Sequence, residues 1–207
     1  MHVGILYRER DGDSRVRLLH LAFHKSLQDD AVNSRIYCQK LRRSLVCIIP
    51  ALEEEDAVNV AIYCRGIARH LPAVPYGLSY NEDGCFVITE GRAELKLPEE
   101  RRWLNCSTFV LTVFQSAGPR LIDPIGWPDR PDEDRMMQRQ LIQWLWPAAG
   151  CKHIKRQLSA IGRARIRPEE TAGACLEDIL PALFGECEPN GKVVSALLDG
   201  EVTLTNR

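Results

Sequence analysis

The stretch from Trp103 to Phe114 constrains this chain most. Its apolar residues Phe109, Val110, Val113 and Phe114 recur at helical spacing, so a helix with one buried face is predicted here, ended by Gly118-Pro119. Cys106 stands at the start of that helix among small polar residues. In a first helical turn, unpaired backbone N–H groups and the positive end of the macrodipole favour thiolate over thiol, whose free pKa is roughly 8.5. The same spacing puts Cys106 three residues before Phe109 and seven before Val113, on the apolar face, where a free cysteine serves equally as core. The segment alone therefore allows a nucleophile or a packing residue, and histidines elsewhere in the chain weigh between them.

A chain of 207 residues can bury a core without covalent staples. We expect a core over residues 1–120 and a helical extension over 121–207 packed on it as one structural domain. Lys+Arg 27 against Asp+Glu 28 leaves a net charge of -1, which provides no field for nucleic acid or an anionic membrane. The eight cysteines form no C-x-x-C pair, so no metal or other cofactor is expected. Several lie in runs resembling strand or helix interior, such as Val46-Cys47-Ile48, which fits a reducing compartment. No signal-like succession opens the chain and no apolar run approaches about 18 residues. These features suggest a soluble cytoplasmic protein without stable membrane insertion, any export needing a dedicated secretion machinery.

Residues 2–9 and 15–24 read as two strands joined around Asp11-Gly12-Asp13, where Asp-Gly accepts the positive φ of a tight turn. His2, His20 and His24 share a face only if that loop has an odd count, since side chains alternate along a strand. Residues 25–35 read as a polar stretch, and Leu45 to Ile49 as a short buried strand closed by Pro50. Glu53 to Leu71 is predicted as a helix with acids in its first turn, Arg69 and His70 at its end, and Val58, Ile62 and Ile67 on its core face. Residues 75–102 read as loop-rich, and 121–128 as irregular. Further helices are expected over 131–145, 152–161 and 168–176. The tail 191–205 reads as a strand or a short helix. The basic run Arg163 to Arg167 reads as a solvated edge.

A cysteine hydrolase needs a thiolate, an imidazole, a polar group that holds the imidazole's tautomer, and an N–H for the oxyanion. Cys106 and the strand histidines can supply all of these. His2-Val3-Gly4-Ile5-Leu6, followed by a hairpin and Leu18-Leu19-His20-Leu21, resembles the paired histidine strands of NlpC-type papain-fold peptidases. Asn105-Cys106-Ser107-Thr108-Phe109-Val110 resembles their D-C-S-G-L-V motif, and more closely the N-C-E-H-F-V of the lecithin-retinol acyltransferase group. Histidines before the cysteine is the permuted order of that group. Pro75-Tyr76-Gly77 is similar to the P-Y segment leading into the peptidase nucleophile. The resemblance covers roughly residues 2–24 and 75–118.

The resemblance implies an α+β, permuted papain-like fold, in which a small antiparallel sheet packs on the nucleophile-bearing helix, with a helical C-terminal extension. It implies Cys106 as nucleophile, His2 as base and His20 as the orienting residue, with Tyr76 and Asn105 at the substrate. His24, of the same parity as His20, is an alternative for either histidine role. The implied function is a cysteine hydrolase acting on an amide or other acyl bond, a cell-wall peptide amidase or secreted antibacterial effector being the narrower form. Its partners would be a peptide or acyl substrate and, for an exported enzyme, secretion machinery or an inhibitor protein. An acyltransferase or lipid hydrolase of the same fold, and a non-catalytic interaction domain, are the alternatives.

Overall fold

The computed structural model describes residues 1–10, 15–32, 46–80, 82–98 and 101–200. The predicted Asp11-Gly12-Asp13 turn, Leu45 and the end of the tail lie outside the described residues. The chain is α+β, with two small antiparallel sheets and six helices among the described residues. The first sheet comprises β1 (Ile5–Arg8), β2 (Val16–Phe23) and β3 (Ser26–Ala31), in that order. Ile5 pairs with Leu19 and Arg8 with Val16, leaving residues 9–15 between the last partners, an odd count. An odd count is the condition the parity argument sets, and His2 and His20 do meet, whereas His24 does not join them.

The supposed polar stretch after residue 24 is in fact β3. Its central residues pair with β2, Leu18 with Asp30 and His20 with Gln28, and only Leu27 of the strand is buried. Its polar character reflects an edge position, where one face meets water and charges discourage further pairing. The loop-rich region likewise contains a hairpin, β4 (Cys85–Thr89) and β5 (Arg92–Lys96). Glu90 and Gly91, with φ of 51° and 75°, make the two-residue turn. By contrast, the apolar run before Pro50 forms no strand over its described residues, and Ile49 is 87% exposed.

Helix α1 (Glu54–His70) follows the expected bounds, with Glu54, Glu55 and Asp56 in its first turn and Arg69 and His70 in its last. Its core stripe differs from expectation. Val60, Cys64 and Ile67 are buried at i, i+4 and i+7, whereas Val58 and Ile62 are exposed. Helix α2 (Cys106–Ala117) is buried on every side rather than one, with only Gln115 and Ser116 partly open. It packs against β2, β4 and α1, and against a helix of the C-terminal part. Most of its hydroxyls are satisfied locally, Ser107 being the exception among the described residues: Thr112 donates to the Thr108 carbonyl (2.7 Å), and Ser116 donates to that of Thr112 while accepting from Phe86 N–H.

The C-terminal part comprises α3 (Pro131–Leu145), α4 (Cys151–Leu158), α5 (Pro168–Ala174) and α6 (Phe184–Asp199). Helix α6 begins before, and is longer than, the strand or short helix read from the tail, and it runs through Gly185, Pro189 and Gly191. Two glycines explain why it forms. A Cβ at Gly173 would stand 2.5 Å from the Cys187 carbonyl oxygen, and one at Gly191 2.9 Å from that of Glu169, so α5 and α6 cross backbone against backbone. The run Arg163–Arg167 is a solvated edge only at Arg163, which is exposed. Arg167 donates to Asp134 Oδ1 at 3.0 Å, Arg165 lies 3.7 Å from the same oxygen, and Arg130 pairs with Glu170, all largely buried. This network joins the starts of α3 and α5. Buried apolar residues from both halves of the chain form one cluster, from Ile5 and Leu19 through Phe109 to Ala174 and Cys187.

Candidate active site

His20 lies on β2 and is buried, at 8% exposure; His2 precedes β1 and is exposed. Their rings meet edge to face, with centroids 4.8 Å apart and planes at 76°. His2 Nε2 and His20 Nδ1 are 2.8 Å apart, and His20 Nε2 is 3.1 Å from Asp30 Oδ2 on β3. A carboxylate can only accept, so His20 donates from Nε2 to Asp30. Neutral His20 then presents a lone pair at Nδ1, and His2 donates to it from Nε2. The remaining lone pair, at His2 Nδ1, is the one free to take a proton. Although the residue as a whole is open to solvent, its ring is desolvated where it packs on His20, and this, followed by the neighbouring His20, lowers the His2 pKa from 6.5 to about 4, which keeps this imidazole neutral.

Gly4 makes this approach possible. A Cβ there would stand 2.7 Å from His20 Cβ and 2.9 Å from the Leu19 carbonyl oxygen. Its absence lets the segment before β1 lie down over β2 and return His2 to His20.

Cys106 is the first residue of α2 and is 5% exposed. Asn105 caps the helix: its Oδ1 accepts from Thr108 N–H at 2.9 Å, and Thr108 Oγ1 accepts from Asn105 N–H at 2.8 Å. This reciprocal box has threonine where glutamate is usual. As the first residues of the helix, Cys106 and Ser107 have no intrahelical carbonyl for their N–H groups, which remain available to an anion. The Ser107 hydroxyl is buried without a hydrogen-bond partner among the described residues.

Tyr76 adjoins this helix start through a parallel bridge to Leu104. Leu104 N–H donates to the Pro75 carbonyl and Gly77 N–H to the Leu104 carbonyl, each at 2.9 Å. Burial, and then the nearby Cys106 sulfur, hold the Tyr76 phenol above its ordinary range. The expected grouping of Tyr76, Asn105 and Cys106 is therefore present as a local unit.

His24 does not join His2 and His20. A register shift between Leu21 and Phe23 breaks the alternation, and His24 sits in the turn before β3. Its Nδ1 accepts from Tyr76 N–H at 3.3 Å, while His153 on α4 donates from Nε2 to the Tyr76 carbonyl at 2.7 Å. The two rings, 5.1 Å apart, thus hold both sides of one residue. Burial lowers both pKa values; at His24 the neighbouring His153 and Lys25 add to it, and at His153 it outweighs the bond to the carbonyl. Sequence reading missed His153, which is 77 residues from its partner, and Asp30, which it assigned to a polar stretch.

Cys106 makes no hydrogen bond to either hairpin imidazole among the described residues. Helix α2 lies against β2. His2 shares one cavity wall with Val110 and Phe114, which follow Cys106 at i+4 and i+8 along a single stripe of the helix. Among the described residues no cluster of His, Cys, Asp and Glu could hold a metal ion, the cysteines are free thiols, and no helix is long and apolar enough to cross a membrane. Comparison with family models, with curated proteins and with solved structures finds no match to this chain.

Proposed function

We propose that this chain is a cysteine hydrolase of permuted papain-like architecture that cleaves an amide or other acyl bond through an acyl-enzyme. The observation that carries this reading is the hydrogen-bonded chain from Asp30 through His20 to His2, on a sheet packed against the helix that begins with Cys106. His2 Nδ1 accepts the Cys106 proton as sulfur attacks the acyl carbon. The carbonyl oxygen becomes an oxyanion met by the free N–H groups of the first helical turn. The carbon–nitrogen or carbon–oxygen bond then breaks, and the proton on His2 passes to the departing amine or alcohol. Water, deprotonated by His2, attacks the thioester, releasing the acid and restoring the thiol. Sulfur and imidazole need not touch before substrate arrives, since catalytic hydrogen bonds often tighten only in the Michaelis complex.

The burial of Cys106 favours a second reading, an interaction domain in which the cysteine only packs. Alkylation separates the two. Treatment of the folded protein with limiting iodoacetamide near neutral pH, followed by mass spectrometry, should label Cys106 well before the other seven cysteines. His2→Ala should remove that preference with little change in melting temperature. Labelling of Cys106 no faster than the rest, or a large loss of stability in His2→Ala, would establish the packing role.

A further inference from the structure

The main chain of residues 75–78 is held from two sides. Towards Leu104 the hold is a pair of backbone bonds, from Leu104 N–H to the Pro75 carbonyl and from Gly77 N–H to the Leu104 carbonyl. In a parallel pairing successive residues present their polar groups to opposite sides, so Tyr76 N–H, Tyr76 C=O and Leu78 N–H face away from Leu104. Tyr76 and Leu78 are buried, and such groups cost free energy unless they are received. Side chains receive all three. His24 Nδ1 accepts from Tyr76 N–H at 3.3 Å, His153 Nε2 donates to Tyr76 C=O at 2.7 Å, and Gln157 Oε1 accepts from Leu78 N–H at 2.9 Å. His153 and Gln157, at i and i+4, share one face of α4. The turn that carries His24 is tied to the same segment, Lys25 N–H donating to the Val74 carbonyl at 2.9 Å. The three receivers respond differently to acid. Gln157 does not titrate, and His153 uses an N–H that an imidazolium keeps. His24 uses a lone pair, which protonation removes, leaving two donors facing each other.

We propose that His24, His153 and Gln157 are positioning residues of the Cys106 site: they hold Tyr76 against the start of α2, and His24 makes that hold labile to mild acid. The proposal rests on the reading of Cys106 as the nucleophile. The Tyr76 phenol lies beside the Cys106 sulfur, so release of the Tyr76 N–H shifts a group that lines the thiol. Each ring of the pair faces the other, and the charged groups that face both, Lys25 on the turn and Arg156 on α4, are cations. Together with burial they oppose protonation, so the release falls below 6.5. Helix α4 lies outside the segments that resemble papain-fold enzymes, and this hold gives it a part in the site.

Amide hydrogen exchange of the full-length protein, read at Tyr76 by NMR between pH about 7 and about 4.5, tests the hold without reference to cysteine chemistry. The protection of Tyr76 N–H, corrected for intrinsic exchange, should fall at least about tenfold over that range while melting stays cooperative. His24→Asn, whose Oδ1 can stand where Nδ1 stood and does not titrate, should keep Tyr76 protected throughout. Protection that does not change with pH in the unsubstituted protein overturns the proposal, as does the same acid loss in folded His24→Asn. At neutral pH, His24→Ala should slow Cys106 carboxymethylation at least about tenfold, and His24→Asn should restore it. An unchanged rate in folded His24→Ala overturns the positioning role. Acid-labile Tyr76 protection together with unselective labelling of Cys106 in the unsubstituted protein would defeat the cysteine chemistry and keep the hold on Tyr76.

Discussion

Asp30→Ala tests the tautomer argument directly. In the folded protein His20 Nε2 lies 3.1 Å from Asp30 Oδ2, and this contact alone decides which His20 nitrogen carries the proton. Without the carboxylate, His20 can place its proton on Nδ1, which then faces His2 as a donor and moves the His2 lone pair from Nδ1 to Nε2. A hydrogen bond to a charged partner contributes about 1.5–3 kcal/mol. The Asp30 side chain is 38% exposed, so solvent screening selects the lower end, about 1.5 kcal/mol, which corresponds to about a tenfold loss of rate. The assay is the second-order rate of Cys106 carboxymethylation at neutral pH, with a melting curve for each variant. Asp30→Asn, whose amide oxygen still accepts, should fall between wild type and Asp30→Ala. A wild-type rate in Asp30→Ala, alongside a large drop in His20→Ala, would refute the relay and leave Asp30 as a surface charge.

Three other outcomes follow from the same geometry. Because the His2 pKa is lowered to about 4, its ring protons should titrate by NMR well below 6.5; a midpoint at or above 6.5 would contradict this. Gly4→Ala should cost about 1–3 kcal/mol of stability and slow Cys106 labelling, because the added methyl meets His20 and the Leu19 backbone; unchanged melting and labelling would show that the strand absorbs it. His24 and His153 have folded pKa values below 6.5, so the unfolded chain binds more protons as pH drops. Their contribution is complete above 6.5 and is lost as pH falls toward the folded values, with Lys25 and Arg156 opposing protonation. His153→Gln, which keeps a donor for the Tyr76 carbonyl, should flatten the acid fall in melting temperature, and an unaltered slope would assign that fall elsewhere.

Where local periodicity and punctuation carry the information, the chain was legible. The bounds of α1, α2 and α3 follow from acidic first turns, Pro131 and Gly118-Pro119, because helix ends are set by their own caps and dipoles. The even spacing of His2, His20 and His24 was legible too, since alternation is a property of a strand, but the shared face depended on an odd loop, which the register supplies, and the bulge withdraws His24. Residue order alone thus placed Cys106 at the start of a helix with a buried face and set the condition under which the imidazoles share one. The folded chain was needed to show that Asp30 completes the histidine chain, that a bulge removes His24 from it, and that His153 reaches back to Tyr76. Packing also decided that Val60 and Cys64, not Val58 and Ile62, face the core, and that two glycines let α6 cross α5. One cause is common to these cases: such contacts join residues far apart in sequence, and their energy depends on which surfaces meet, a quantity no local pattern contains.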